Sequence, residues 1–245
     1  MQALKIVLEA LTTSFRYPHF MLGVQPSFPL PPPATIYGHI CSALGDWVDP
    51  AGLAFAYHFT AAGEGHDLEH IHVLSASSGK LPGGEAKVLE GNINPFKRQL
   101  LLFPRLTLYL NRPEWIDAFR FPRYPVVLGR SQDLAAYTHI EIVDLQQADQ
   151  VYFEHTLLPF AMATQAPAGV VTLMPRWINY RQRRQPSFAR YLVLTERITT
   201  RQMLRFGQQS ATYWSDPTAP VVDGLPLGLW FHTFVGADDE AFAMA

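Results

Sequence analysis

Apolar and polar positions alternate from the second residue onward. In "ALKIVLEAL" Leu4, Ile6 and Leu8 fall on one side, the period of a half-buried strand. After "SFPLPPP" the period lengthens to that of a helix. Ile36, Ile40, Ala43, Leu44 and Trp47 form one stripe, which predicts a helix from about Pro33 to Trp47. Between these two elements, "TTSFRYPHFMLGVQPSF" reads as an ordered loop with an aromatic–Arg–aromatic centre, Phe15-Arg16-Tyr17. "LAFAYHFT" predicts a second strand, and residues 61 to 97 read as a projecting hairpin, with "HIHVL" and "AKVLE" flanking the turn residues "SSGKLPGG". "RQLLLFPRLTLYL" predicts one strong strand, "RPEWIDAFR" a short helix opened by proline, and "YPVVLGRSQDL" a strand running into a glycine turn.

The resulting order, β-α-β-(hairpin)-β-α-β, is the ferredoxin-like arrangement also used by RNA-recognition modules, an α+β class. After Thr138 the pattern is mostly strand and turn: "HIEIVDL", "QVYFEHTLLPF", "GVVTLMPRWINY", "FARYLVLTERI" and a last strand in "LPLGLWFHTFVG". This predicts a first domain over 1–137, carrying the hairpin at about 61–97, and a smaller β-rich lobe over 138–245.

Composition narrows the class. With 245 residues and 48% hydrophobic content the chain can bury one large core or two modest ones, and no apolar run nears the ~20 residues of a membrane span. The N-terminal stretch reads as a strand rather than a signal peptide. Cys41 is the single cysteine, inside the predicted helix, so no internal disulfide can form, which fits a reducing, cytoplasmic setting. The net charge of −2 argues against indiscriminate coating of nucleic acid, but its distribution is uneven. Lys97 to Arg130 holds seven basic and two acidic residues, and Arg176 to Arg205 eight basic and one acidic, on an otherwise acidic body. Fifteen of the nineteen cations are Arg, whose planar fork suits phosphates. Two basic segments predict a bounded polyanion surface.

The candidate chemistry is that of binding. Four prolines before one helix would hold its start, with its unpaired N–H groups, at one place as an anion site. Gly129, Arg130 and Ser131 form a turn in which glycine permits close approach, Arg forks to phosphate and Ser donates. Arg181, Arg183 and Arg184, with Tyr180 and Phe188 nearby, suit phosphate contact plus base stacking. "HDLEHIH" places His66, His70 and His72 with Glu69 in the wrong order for a zinc helix and reads better as a polar hairpin stem. "SSGKLPGG" lacks the spacing of a P-loop, and no nucleophile elbow is present. For metal-independent RNA cleavage Tyr37 and His39 lie near the helix start, but no lysine sits beside a histidine. No metal or cofactor is expected.

Three stretches together resemble a known family. "FRYPHF", "PLPPPATIYGHICSALG" with P-P-P-x-T-x-x-G over Pro31 to Gly38, and "PVVLGRSQDLA" with L-G-R-S-x-D-L are similar to the Cas-five family of CRISPR effector complexes, above all its type I-B branch, over about residues 1 to 137. The resemblance implies a RAMP-superfamily, ferredoxin-like body in a Cascade surveillance complex for antiviral defence or guided DNA targeting. It implies a non-catalytic subunit that caps the 5′ handle of crRNA and uses its hairpin as a thumb. Implied partners are the handle, the first Cas-seven backbone subunit, the Cas-eight large subunit and, indirectly, target DNA, with no membrane. By that resemblance Thr35, Tyr37 and Gly38 lie at the handle, and Arg16, between Phe15 and Tyr17, clamps a base. Gly129, Arg130 and Ser131 then grip backbone, and Lys97 and Arg98 stand at the thumb base. The type I-C branch, which cuts precursor RNA with a Tyr, a Lys and a His, supplies the alternative of an endoribonuclease. A free-standing RNA-recognition module is a third reading.

Overall fold

Strand β1, Gln2–Ala10, opens a computed structural model that describes residues 1–20, 23–87, 89–203 and 212–236. Val88 in "AKVLE" and Arg205 at the end of the second basic segment lie outside them. The alternation places Leu4, Ile6 and Leu8 in the main core, and Ala3 and Val7 on the other face are buried too. Two short strands, β2 (Thr12–Thr13) and β3 (Val24–Gln25), bracket the loop that leads to α1, Pro33–Leu44. The helix ends three residues short of the expected Trp47. Gly45 takes a left-handed φ of 84° and its N–H closes on the Cys41 carbonyl (2.8 Å), the usual glycine stop. Ile36, Ile40, Cys41 and Ala43 are buried along it.

Beyond α1 come β4 (Ala54–Thr60), the long hairpin pair β5 (Gly63–Ala76) and β6 (Leu89–Leu102), and β7 (Arg105–Leu110). The single strand expected in "RQLLLFPRLTLYL" is therefore two. Phe103 turns the chain with a φ of 48°, and Pro104, which has no N–H to donate, separates a hairpin strand from a sheet strand. A 3-10 turn at Pro113–Trp115 runs into α2, Ile116–Arg120. The strand expected in "YPVVLGRSQDL" is absent: only an isolated bridge joins Val127 to Leu134, and the paired strand is the next one, β8 (Ala135–Asp144). That strand passes unbroken through position 137, where the sequence suggested a domain boundary.

The remainder supplies β9 (Gln146–Ala148), β10 (Tyr152–Phe153), β11 (Thr156–Pro159), the hairpin β12 (Val170–Asn179) and β13 (Gln185–Leu194), and β14 (Ile198–Thr199). Three short strands follow, β15 (Tyr213–Ser215), β16 (Gly228–Leu229) and β17 (His232–Thr233). The one strand expected in "LPLGLWFHTFVG" is split between β16 and β17, which lie in different sheets.

The protein is thus mostly β-sheet with few helices. Its central sheet has the order β17-β4-β7-β1-β8, every neighbouring pair antiparallel. One face of that sheet carries Leu4, Ile6, Leu8, Leu106, Leu108 and Leu110 against Ile36 and Ile40 of α1 and Phe119 of α2. Leu157, Met174, Tyr191 and Val193 belong to the same core, so the C-terminal half shares its packing with the first half. The opposite face is covered by a second cluster that includes Tyr152, Leu225 and Phe231.

Candidate nucleic-acid interface

Two segments remote in sequence are keyed together beside α1. Gly129 has a φ of 88°, and a Cβ there would lie 2.6 Å from Thr13 Oγ1 and 2.8 Å from the Ser14 carbonyl oxygen, so only glycine lets the turn come this close. The Thr13 hydroxyl donates to the Leu128 carbonyl (2.6 Å) and the Thr12 hydroxyl to Asp133 Oδ1 (2.9 Å). From there the loop to Ser27 is closed by its own bonds. Phe15 N–H donates to Ser27 Oγ (2.9 Å), Phe28 N–H to the Phe15 carbonyl (2.8 Å), and Arg16 bridges to Ser27. The loop also borders the hairpin, because β3 pairs in parallel with Lys97 and Arg98 of β6. On the helix side, His39 of α1 bonds the Val127 carbonyl (3.1 Å), one residue ahead of Leu128.

Arg130 is spoken for within the protein. Its Nε and one terminal nitrogen grip both oxygens of the fully buried Asp133 carboxylate (2.8 and 2.6 Å), while the other terminal nitrogen bonds Glu69 of the hairpin. Glu69 in turn pairs with Arg98 (2.8 Å), whose guanidinium lies 5.1 Å from the Phe96 ring. Asp133, with Glu69 beyond it, holds the Arg130 pKa above its ordinary value. Such a low-exposure, bidentate chain is a brace that fixes the hairpin base to the glycine turn. The sequence assigned Arg130 to phosphate and the resemblance placed Arg98 at the thumb base; in the fold the Arg130 fork is occupied by two carboxylates and Arg98 Nε pairs with Glu69. Asp133 lies three residues after Arg130 and its role was readable, whereas nothing local pointed to Glu69.

The remaining expected contacts divide by exposure. Arg16, Gly38, Lys97, Gly129 and Ser131 are exposed, as are Arg181, Arg183 and Arg184 at the β12–β13 turn. No hydrogen bond or ion pair engages the Arg16 or Lys97 side chain among the described residues. Phe15 and Tyr37 are instead core residues, 2% and 1% exposed. Phe15 meets Phe59 edge-on (5.5 Å), and the Tyr37 hydroxyl donates to the Val48 carbonyl (2.5 Å), its pKa pushed up to about 12 by burial. Tyr17 and Thr35 are half-buried, Tyr17 with one ring face on Phe28 (3.7 Å).

The start of α1 also differs from expectation. Pro31, Pro32 and Pro33 are buried and have no N–H, and the N–H groups of Thr35 and Ile36 both turn onto the Pro32 carbonyl (2.8 and 3.3 Å). Among the described residues Ala34 is left as the only open donor of the first turn, so no amide cluster forms there. The Tyr57 hydroxyl bonds the Pro31 carbonyl from the core side (2.9 Å). The prolines are a packed buttress that sets where the helix begins.

His39 is buried between the Val127 carbonyl and the Tyr137 hydroxyl (2.9 Å), and desolvation lowers its pKa to about 4. A neutral imidazole with both nitrogens engaged, and a Tyr37 hydroxyl bonded elsewhere, do not face a common surface. His66, His70 and His72 project from one face of β5, with the His70 and His72 rings 6.4 Å apart. Among the described residues no group of three or more His, Cys, Asp or Glu is arranged to hold a metal, and no helix is long and apolar enough to cross a membrane.

No family model matches the chain, and no curated protein matches it. Among solved structures it is similar to a chain of a CRISPR RNA-guided surveillance complex, at 15% identity and a TM-score of 0.49, covering 81% of this chain and 92% of that one. It is similar to a Cas protein at 16% identity and a TM-score of 0.41, covering 82% and 96%. It is also similar to a chain of the type III-B Cmr-beta complex bound to cognate target RNA, at 11% identity and a TM-score of 0.44, covering 82% and 87%.

Proposed function

We propose that this chain is a non-catalytic subunit of a type I CRISPR effector complex, most like the Cas-five family of the I-B branch, and that it holds the 5′ handle of the guide RNA. One observation carries the reading. The three stretches on which the family resemblance rests, residues 15–20, 29–45 and 125–135, meet around α1: Gly129 packs on Thr13 just ahead of the first, the Phe28 N–H just ahead of the second donates to the Phe15 carbonyl, and His39 bonds the Val127 carbonyl. The strand order β4-β7-β1-β8, with α1 and α2 on one face, supports a ferredoxin-like body.

In this reading Arg16, Lys97 and Ser131 contact phosphate and Tyr17 offers a partial stacking surface. Arg130, Asp133, Glu69 and Arg98 act as positioning residues that hold the thumb hairpin against the cradle. That hairpin exposes Leu68, Leu74 and Ile93, an apolar surface suited to burial against neighbouring Cas-seven and Cas-eight subunits. The test is assembly with a handle-bearing guide RNA. The Arg16→Ala, Lys97→Ala double variant should lose at least ~10-fold in handle affinity, as expected for two charge-assisted contacts, without loss of fold. Unchanged affinity would remove these residues from the site. Site-specific cleavage of repeat RNA in the absence of metal would favour the endoribonuclease alternative.

A further inference from the structure

Past the far end of α1 the chain assembles a second group of aromatic and basic side chains. Trp47, two residues beyond the glycine that ends the helix, is 40% exposed and lies flat on Tyr180, with ring centroids 4.6 Å apart and planes at 11°. The Arg181 guanidinium lies over the same tyrosine ring (5.6 Å), and its Nε–H donates to the tyrosine hydroxyl (3.0 Å). Beneath this ladder opens a cavity of about 420 Å³, lined among others by Tyr37, Trp47, Trp177, Asn179 and Tyr180. Among the described residues Asp49 is the one carboxylate on its lining, and that group already accepts the Ala51 N–H (3.0 Å).

The turn above the cavity is built against its own steric preference. Gln185 N–H donates to the Gln182 carbonyl (3.0 Å), and the two residues between them, Arg183 and Arg184, both have left-handed φ angles, 52° and 59°. Asn-Gly is the usual occupant of such a pair, because a full side chain crowds its own backbone there. Here two arginines take the strain, both exposed and, among the described residues, without a hydrogen-bond or ion-pair partner. Strain retained for exposed charge at a hairpin tip marks a binding element. Three guanidinium groups beside a stacked aromatic pair match a ligand that is both polyanionic and planar-ringed, which is the chemistry of an unpaired nucleic-acid strand.

We propose that this turn and the cavity below it form a second nucleic-acid site. One unpaired nucleotide sets its base against Trp47 and Tyr180 at the cavity mouth, and its flanking phosphates rest on Arg183 and Arg184. The site goes beyond the handle cradle in the residues it uses, Trp47, Tyr180 and the β12–β13 turn rather than Arg16, Lys97 and Ser131. It does not depend on the handle assignment.

The experiment uses the full chain and a fluorescein-labelled ten-nucleotide oligouridylate, followed by anisotropy and by quenching of tryptophan emission. Binding should quench, and Trp47→Phe should abolish the quench. The Arg183→Gly, Arg184→Gly variant, which relieves the left-handed strain and so should fold at least as well, should bind at least ~10-fold more weakly. Its log K against log salt slope should flatten by about 1.4, the share of two single-strand phosphates. Arg16→Ala with Lys97→Ala should leave the quench in place. Unchanged affinity and slope in the glycine variant, no quench with wild-type protein, or a quench that vanishes with Arg16 and Lys97 instead would each overturn the proposal.

Discussion

Arg16 and Arg130 sit on either side of the same glycine contact, yet their surroundings give them opposite roles. The Arg16 side chain is exposed and, among the described residues, unengaged, whereas Arg130 is locked between Asp133 and Glu69. Removing Arg130 would strand a fully buried carboxylate, so Arg130→Ala should cost about 3–5 kcal/mol of stability in urea unfolding, the range for breaking a buried pair. A loss under ~1 kcal/mol would mean that water solvates Asp133. Histidines make a second prediction at this scale. Burial lowers the pKa values of His39 and His232 to about 4, against an ordinary value of 6.5. Between these pH values the unfolded chain binds more protons, so stability should be full above about pH 6.5 and fall as pH drops toward 4. The loss is up to about 3 kcal/mol for each imidazole. Thermal unfolding at pH 7 and pH 4.5 checks it, and equal melting temperatures would contradict the buried, neutral assignment.

At the scale of elements, the hairpin β5–β6 stands out because none of the described residues 61–95 is buried, although its strands pair over fourteen positions. It is held from its base, through Phe96, Arg98 and the Glu69 brace. Deleting Ser77 to Glu90 should therefore leave the melting temperature within a few degrees of wild type while disturbing how guide RNA seats. Collapse of the fold would make the segment part of the core. The glycine turn should behave in the opposite way. Gly129→Ala drives a methyl group into Ser14 backbone and should detach the turn from the loop, seen as faster amide exchange at Thr13 and Ser14. Unchanged exchange there would contradict the keyed contact.

Elements with a strong period were readable from sequence. β1, β4 and the α1 stripe follow directly from alternation and helical spacing. Their ends were less readable, because Gly45 and Phe103 decide them through local φ angles that hydrophobicity does not report. The candidate site was half readable for a similar reason: Arg16 and Lys97 follow from the family resemblance and the arginine tip from its run of cations. That Phe15 and Tyr37 pack inward, and that Glu69 reaches Arg130 across sixty-one residues, are facts of tertiary contact.

Over the whole molecule, the two basic segments shrink once partners are counted. Arg98, Arg105, Arg120 and Arg130 are ion-paired, and Arg176 bonds the Thr233 and Gly236 carbonyls. Arg190 lies over Phe160, and Arg197 pairs with Glu154. The open cations that remain include Arg16 and Lys97 near the start of α1 and the arginine tip beyond its end, a divided surface consistent with a net charge of −2. The most direct test of the account is photo-crosslinking from the first nucleotides of a 4-thiouridine-labelled guide RNA in the assembled complex, with the attached peptides read by mass spectrometry. Adducts are expected on residues 15–20, on Lys97 or at Ser131. Adducts confined to the opposite face of the central sheet, around Tyr152 and Leu225, would contradict it.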